Sequence, residues 1–365
     1  MKRKLLTPVL FFISISGMSQ MDLPPSGGNP RAKITEEVGI TDISISYSRP
    51  DLNGREGRVW GTLVPTGFNS LNLSTNKNTT PWRAGANENT IISFEHDVKV
   101  EGKPVKAGSY GLHMAMYVPD SVVLILSRQT GAWGSFYYDE KDDVLRANVK
   151  PVMLDKSVEW LKYEFIEHKE KHAVVAMQWD KLSVPFKVEV DVDNIVLERM
   201  REQVNSQRGF NAFNMLAAAN YFINKNIYLD EALAWSQRAA GTKTFATLNA
   251  LGNAYTKLNR LREADSVMTE AILLANVNQY MVYGRSLIAA KRTDKAMDVF
   301  TAAEKKFGNV YAVNSGYMSG YSAKGDYTKA LEYAQKALAQ APNENTKNLI
   351  NGNIAKLKEG KDINQ

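Results

Sequence analysis

The sequence predicts a chain in two parts, an N-terminal antiparallel β-sandwich followed by a C-terminal all-α helical repeat. Three observations carry that prediction. Up to Val192, apolar and polar residues alternate in short runs broken by turn residues, as in a succession of half-buried strands. After Asp193 the apolar period becomes helical. Within the second part, Ala232, Ala264, Ala296 and Ala330 recur at spacings of 32, 32 and 34 residues.

A length of 365 residues fits about two domains. The content of 44% hydrophobic and 23% charged residues is that of an ordinary folded protein. The opening residues differ from the rest. Lys2, Arg3 and Lys4 precede the apolar run Leu5–Ser16, and small residues Gly17 and Ser19 follow. This is the pattern of a secretory signal peptide over residues 1–19, too short in its apolar part to span a bilayer. The expectation is an exported protein, periplasmic or secreted, with no transmembrane segment afterwards. There is no cysteine, which excludes disulfides, thiolate metal sites and a cysteine nucleophile.

Net charge divides unevenly. Residues 194–365 hold 22 Lys and Arg against 15 Asp and Glu, whereas residues 20–193 hold 20 against 24. The basic residues are not interleaved with aromatics as in a nucleic-acid module, so nucleic acid is not an expected partner.

In order, strands are expected first around Ile34–Ile40 and at Ile43–Ser48, the latter ending at Arg49-Pro50 because proline removes a ladder donor. Asp51–Gly61 and the Asn/Ser/Thr-rich Thr66–Thr80 read as loops. Ile91–Phe94 and Val98–Val100 follow, then a turn at Gly102-Lys103 and a strand from Ala107 to Val118. Further strands fit Val122–Leu126, Val144–Val149, Val158–Glu167, Ala173–Trp179 and Phe186–Val192. Residues 167–172 form a charged hairpin tip containing His168 and His172. The β-domain thus spans 29–193.

Several motifs in this part resemble one family. Tyr47-Ser48-Arg49-Pro50, Gly54-Arg55, Trp60-Gly61, Leu63-Val64-Pro65, the run from Trp82 to Thr90, and Gly102 through Ala107-Gly108-Ser109-Tyr110 resemble a domain-of-unknown-function family, number 2911. Trp133-Gly134 and Tyr138 with Asp143–Arg146 extend the likeness over most of 29–190. The resemblance implies an exported β-rich domain of the kind common in Bacteroidetes, with no established activity and no catalytic residues to carry over. One departure is that Thr66–Pro81 separates the Val-Pro and Trp-Arg motifs, which follow each other closely in the family.

In the second part, Asn194 can cap a connector helix over 194–210. Seven residues beyond each repeating alanine stands another: Ala239, Ala271, Ala303 and Ala337. Gly252 and Gly284 lie twelve residues before Ala264 and Ala296, and Tyr255 and Tyr321 nine before Ala264 and Ala330. This resembles the tetratricopeptide repeat, a helix–turn–helix unit of ~34 residues, over 211–343, with a capping helix over 344–360. The resemblance implies a protein or peptide partner held by the helical array.

The nine residues Trp82–Thr90 crowd an aromatic, a cation, a carboxylate and two amides beside a strand. Trp82, Arg83, Asn87 and Glu88, with Trp133 and Tyr138, are the candidate ligand-binding set, able to stack on and orient a sugar or peptide. The competing reading, taken as the stronger, makes the run a structural corner with Trp82 in the core and Arg83 paired to Glu88 or another acid. Four histidines limit metal chemistry. Glu88, His96 and His113 form a weak metal candidate if the two histidines face each other on neighbouring strands. A Ser109/His113/Asp combination lacks any nucleophile-elbow signature. No cofactor motif is present. The sequence therefore favours a non-enzymatic binding or scaffold protein. The alternative is a hydrolase or carbohydrate-active or carbohydrate-binding β-domain with the repeat as a docking arm.

Overall fold

Ten strands and ten α-helices follow one another in the computed structural model, which describes residues 28–70 and 80–365. The expected signal peptide and the centre of the Thr66–Thr80 loop lie outside the described residues. The chain divides into two units, one ending at Glu198 and one beginning at Arg199.

The first unit is built from two antiparallel sheets. One has the order β1-β2-β3-β6-β7-β8, formed by β1 (Arg31–Val38), β2 (Thr41–Ser48), β3 (Thr90–Phe94), β6 (Gly108–Tyr117), β7 (Ser121–Ser127) and β8 (Asp143–Val149). The other has the order β5-β4-β10-β9, formed by β4 (Val98–Val100), β5 (Lys103–Val105), β9 (Val152–Lys169) and β10 (His172–Val190). The alternation read in the sequence is the alternation of burial. Val38, Ile43 and Ile45 are fully enclosed, as are Ile92, Leu112, Leu124 and Val188. Tyr47 on β2 meets Tyr163 on β9 edge to face at 4.8 Å, and its hydroxyl accepts from the Tyr163 amide at 3.1 Å. Such a pair ties the two sheets together across the core.

Two expectations are corrected. The run Ala173–Trp179 and most of Phe186–Val192 are not separate strands but parts of the 19-residue β10, which ends at Val190, and Val192 opens a helix. The polar residues between them mark a bulge at Asp180, which adopts a left-handed φ of 50°. Its carboxylate accepts from the Gly57 amide at 2.9 Å and the Ser157 hydroxyl at 3.1 Å, so the bend is held by side-chain bonds and pairing resumes beyond it. Likewise β9 begins at Val152, six residues before the expected start: Val152 and Met153 pair with Ser183 and Leu182 of β10, but both are exposed, so no alternation marks them in the sequence.

The second unit is a series of antiparallel helix pairs. Helix α1 (Val192–Val204) begins two residues before the expected cap at Asn194. The pairs are α2 (Ala212–Lys225) with α3 (Leu229–Ala239), α4 (Phe245–Lys257) with α5 (Leu261–Leu273), α6 (Val277–Ala289) with α7 (Thr293–Phe307), and α8 (Tyr311–Ala323) with α9 (Tyr327–Ala339). Helix α10 (Glu344–Lys358) closes the series. All eight repeating alanines sit on the second helix of a pair and none is more than 2% exposed. A methyl is the largest group those close crossings admit, which is why alanine recurs there. Successive pairs are also tied by charge. Lys306 of α7 donates to the carbonyls of Leu273 and Ala275 at 2.8 and 3.1 Å, capping the negative end of α5. Asp265 of α5 accepts from Arg292 at 2.6 Å and pairs with Lys295 at 2.5 Å. Among the described residues no helix is long and apolar enough to cross a membrane.

Candidate functional site

The Trp82–Thr90 run forms one wall of a cleft of about 510 Å³ in the first unit. Its shape follows from how the chain is strapped. Trp82 exchanges backbone hydrogen bonds with Met114 of β6 at 2.8 and 2.9 Å, so the run starts as an extra rung on the sheet. Ala84 and Asn87 then take left-handed φ values of 52° and 57°, an uncommon conformation for alanine that the surroundings must hold in place. The Ala84 carbonyl accepts from the Tyr163 hydroxyl at 2.8 Å and from the Thr90 hydroxyl at 3.1 Å. Gly85 passes so close to Ser48 and Thr90 that a β-carbon would lie 2.7 Å from the Thr90 hydroxyl.

Trp82, Arg83 and Asn87 line the cleft, whereas Glu88, Trp133 and Tyr138 do not. The Glu88 carboxylate accepts from the Ser48 hydroxyl at 3.2 Å. Trp133 is exposed, and the buried Tyr138 donates to Asp143 at 2.7 Å. Burial first, and the hydrogen bond to Asp143 second, raise the Tyr138 phenol above its ordinary value. The expected Arg83–Glu88 pair does not form. Asn87 turns its carbonyl back, and Arg83 Nη1 donates to it at 2.6 Å. The guanidinium rests 5.8 Å from the centre of the Phe136 ring and against Gly134, where a β-carbon would collide with it. Burial lowers the Arg83 pKa. Nor is Trp82 enclosed in the core. It is half-buried, and its indole N–H donates to the Gly85 carbonyl at 3.1 Å.

The remaining walls come from residues outside the predicted ligand-binding set, several of them named above only as family motifs. Trp179 of β10 stacks on Trp82 with centroids 6.2 Å apart and planes 18° apart. Trp60 stands edge-on to both, at 5.8 and 5.9 Å, with its indole N–H buried and unpartnered. Arg55, Leu63, Pro65 and Ser135 complete the lining.

The metal candidate does not assemble. In the β3–β6 register Thr90 pairs with Leu112 and Phe94 with Gly108, so His96 and His113 lie beyond opposite ends of the paired segment. His96 bonds the Thr41 hydroxyl at 3.1 Å. Among the described residues no group of three metal-binding side chains occurs. His113 is buried, 3.4 Å from the Ser135 hydroxyl and edge-on to Tyr138 at 5.4 Å. Burial, and then the charge of Arg83, bring its pKa down from 6.5 to about 4. The unfolded chain therefore takes up a proton that the folded chain refuses as pH falls below 6.5. Stability is full above that value and declines through the window down to about 4, by roughly 3 kcal/mol in all. Urea unfolding of the wild type and His113→Asn, followed across this window, should show a shallower acid loss in the variant.

A second recess, of about 540 Å³, opens in the helical unit between α6, α8 and α10. Residues 362–365 of the chain form one wall of it. The Ser322 hydroxyl donates to Asp362 at 2.8 Å and accepts from the Ile363 amide at 3.0 Å, while the Asn364 side chain donates to the Ser319 carbonyl at 3.0 Å. Arg285 and Lys291 line the same recess.

Comparisons with known proteins agree with this division. Residues 29–188 match the family model described as a protein of unknown function (DUF2911), and residues 247–276 match a tetratricopeptide repeat model. No curated protein matches the chain. Similar solved structures include one from the APC/C hetero-tetramer Cut9–Hcn1, at a TM-score of 0.32 and 16% identity over 46% of this chain. The match spans only 33% of that chain. MamA MSR-1 C2 has a TM-score of 0.29 and 20% identity, covering 40% of this chain and 88% of its own. YrrB, described as a tetratricopeptide repeat protein with an unusual peptide-binding site, has a TM-score of 0.29 and 17% identity, covering 44% and 88%. The chain is therefore similar, in order, to the DUF2911 family over residues 29–188 and to tetratricopeptide repeats in its helical part.

Proposed function

We propose that the chain is an exported, non-enzymatic binding protein whose helical repeat recruits a protein or peptide partner. The observation that carries this reading is the recess between α6, α8 and α10. Residues 362–364 are bound there by backbone and side-chain hydrogen bonds from α8. A surface that satisfies the polar groups of one such segment has the donors and acceptors to satisfy another. Arg285 and Lys291 line it, and the helical part carries an excess of seven positive charges, which favours an acidic segment. Export rests on the leader pattern of the first 19 residues.

Capture of partners from an extract of the source cells by the full-length chain tests the reading. Arg285 and Lys291 are both exposed, so reversing them to glutamate should leave helix content intact. The partners retained by the wild type are expected to be lost from this double variant. An identical set on both proteins would remove the recess from the function.

A further inference from the structure

The cleft beside Trp82 is a separate matter from the helical recess, and its charge balance is unusual. Among the described residues that line it there is no carboxylate, while two are arginines. One of these is already engaged. Arg55 donates to the Leu52 carbonyl at 2.8 Å and the Asp51 carbonyl at 3.0 Å, and lies 3.4 Å from the Asp51 carboxylate.

Arg83 is not. Among the described residues it has no carboxylate partner, and the hydrogen bond it makes is the one to the Asn87 carbonyl. A guanidinium carries five N–H donors and stays charged at neutral pH. Taking such a cation partly out of water without a counter-ion is unfavourable. The fold holds it there all the same, pinned between Gly134, Phe136 and the Asn87 carbonyl. An anion entering the cleft supplies the missing partner, and the fixed fork suits the two oxygens of a carboxylate.

The rest of the lining defines the body of the ligand. Trp82 presents its indole, backed by the stacked and buried Trp179. Leu63, which is 46% exposed, and Pro65 add apolar surface. A space of about 510 Å³ lies in the range of small-molecule sites. One uncompensated cation matches one negative charge, so a monoanion fits better than a dianion.

We propose that this cleft binds a monocarboxylate with an apolar, ring-sized body, its carboxylate on Arg83 and its body against Trp82 and Leu63. The same chemistry is offered by a small free acid and by the carboxylate end of a peptide.

Titration calorimetry on the full-length chain separates the outcomes, with phenylacetate, its neutral amide phenylacetamide, and N-acetyl-alanyl-phenylalanine as probes. Phenylacetate is expected to bind saturably, and the amide roughly ten- to a hundredfold more weakly, the usual cost of losing a charge-assisted hydrogen bond. Binding of the acetylated dipeptide as well identifies a chain end as an acceptable source, and its failure beside phenylacetate identifies a free acid. Arg83→Gln should lower acid affinity by the same roughly ten- to hundredfold, with Arg83→Lys in between. Leu63→Asp changes an exposed side chain, so it leaves the core intact; by repulsion it should weaken the acid more than the amide. Absence of saturable binding by both acids, equal binding of acid and amide, or an Arg83→Gln protein that binds as the wild type would each overturn the proposal.

Discussion

Replacing Phe300 with alanine is expected to lower the stability of the helical unit by about 3–5 kcal/mol. Phe300 of α7 is fully buried, and its ring is inserted between two first helices. On one side Gly284 of α6 is so near that a β-carbon there would collide with the ring. On the other, β-carbons at Gly316 and Gly320 of α8 would come within 2.8 and 3.3 Å of it. Three glycines from two helices thus shape the slot for one phenyl group. Removing the ring leaves a cavity between α6 and α8, with Met281, Met297 and Tyr317 beside it, that neighbouring side chains fill only in part. The complementary change, Gly284→Ala, should also destabilise. The gain of ~0.5–1 kcal/mol from a better helix former is outweighed by overpacking of ~1–3 kcal/mol. Thermal unfolding followed by circular dichroism at the helical band checks both, and a Gly284→Ala protein more stable than the wild type would mean the slot yields easily.

The second large effect is expected at Trp179. It is 1% exposed and touches both Trp60 and Trp82. Trp179→Ala should cost the β-domain about 3–5 kcal/mol, or roughly ten degrees in melting temperature for a domain of this size. Part of the loss is packing. Part is the Glu159 carbonyl, which accepts from the Trp179 indole N–H at 3.3 Å and would lose that partner. Trp179→Phe keeps an aromatic wall and loses only volume and the donor, so it should fall well short of the alanine variant. Differential scanning calorimetry distinguishes these outcomes, since the β and helical transitions can be tracked against single-unit variants such as Phe300→Ala.

How much of this was legible in the sequence depends on the range of the contacts. The helical repeat is local physics, because the buried alanines and the glycines beside them recur at fixed spacings. Gly316 stands 32 residues beyond Gly284, as Gly284 does beyond Gly252, and Met268 and Phe300 fill the slots of Gly252 and Gly284 at the same interval. Gly316 is thus the third member of the glycine series, on the far side of the Phe300 ring. Strands were legible where one face is buried. They were misread at Asp180, where a polar pair resembles a turn but its carboxylate binds Gly57 and Ser157 and the strand continues.

The cleft was half legible. Trp82, Arg83 and Asn87 are neighbours in the chain and were grouped for that reason. Trp179, Leu63, Pro65 and Arg55 reach the same place through strand order and loop path; the last three stand in family motifs, but no short-range pattern joins them to Trp82. Glu88 was grouped with Arg83 on charge and proximity. The left-handed turn at Asn87 instead delivers a carbonyl to the arginine and leaves Glu88 to Ser48.

The segment 362–364 lying against α8 has a thermodynamic consequence. A ligand tethered to its own site competes at an effective concentration that dilution does not alter. A partner that needs the same hydrogen bonds from Ser319 and Ser322 meets that competitor in every molecule. Its measured affinity is then the intrinsic one multiplied by the fraction of chains whose segment has let go. For a partner of that kind, affinity would depend on how tightly three residues of the same chain hold to one helix.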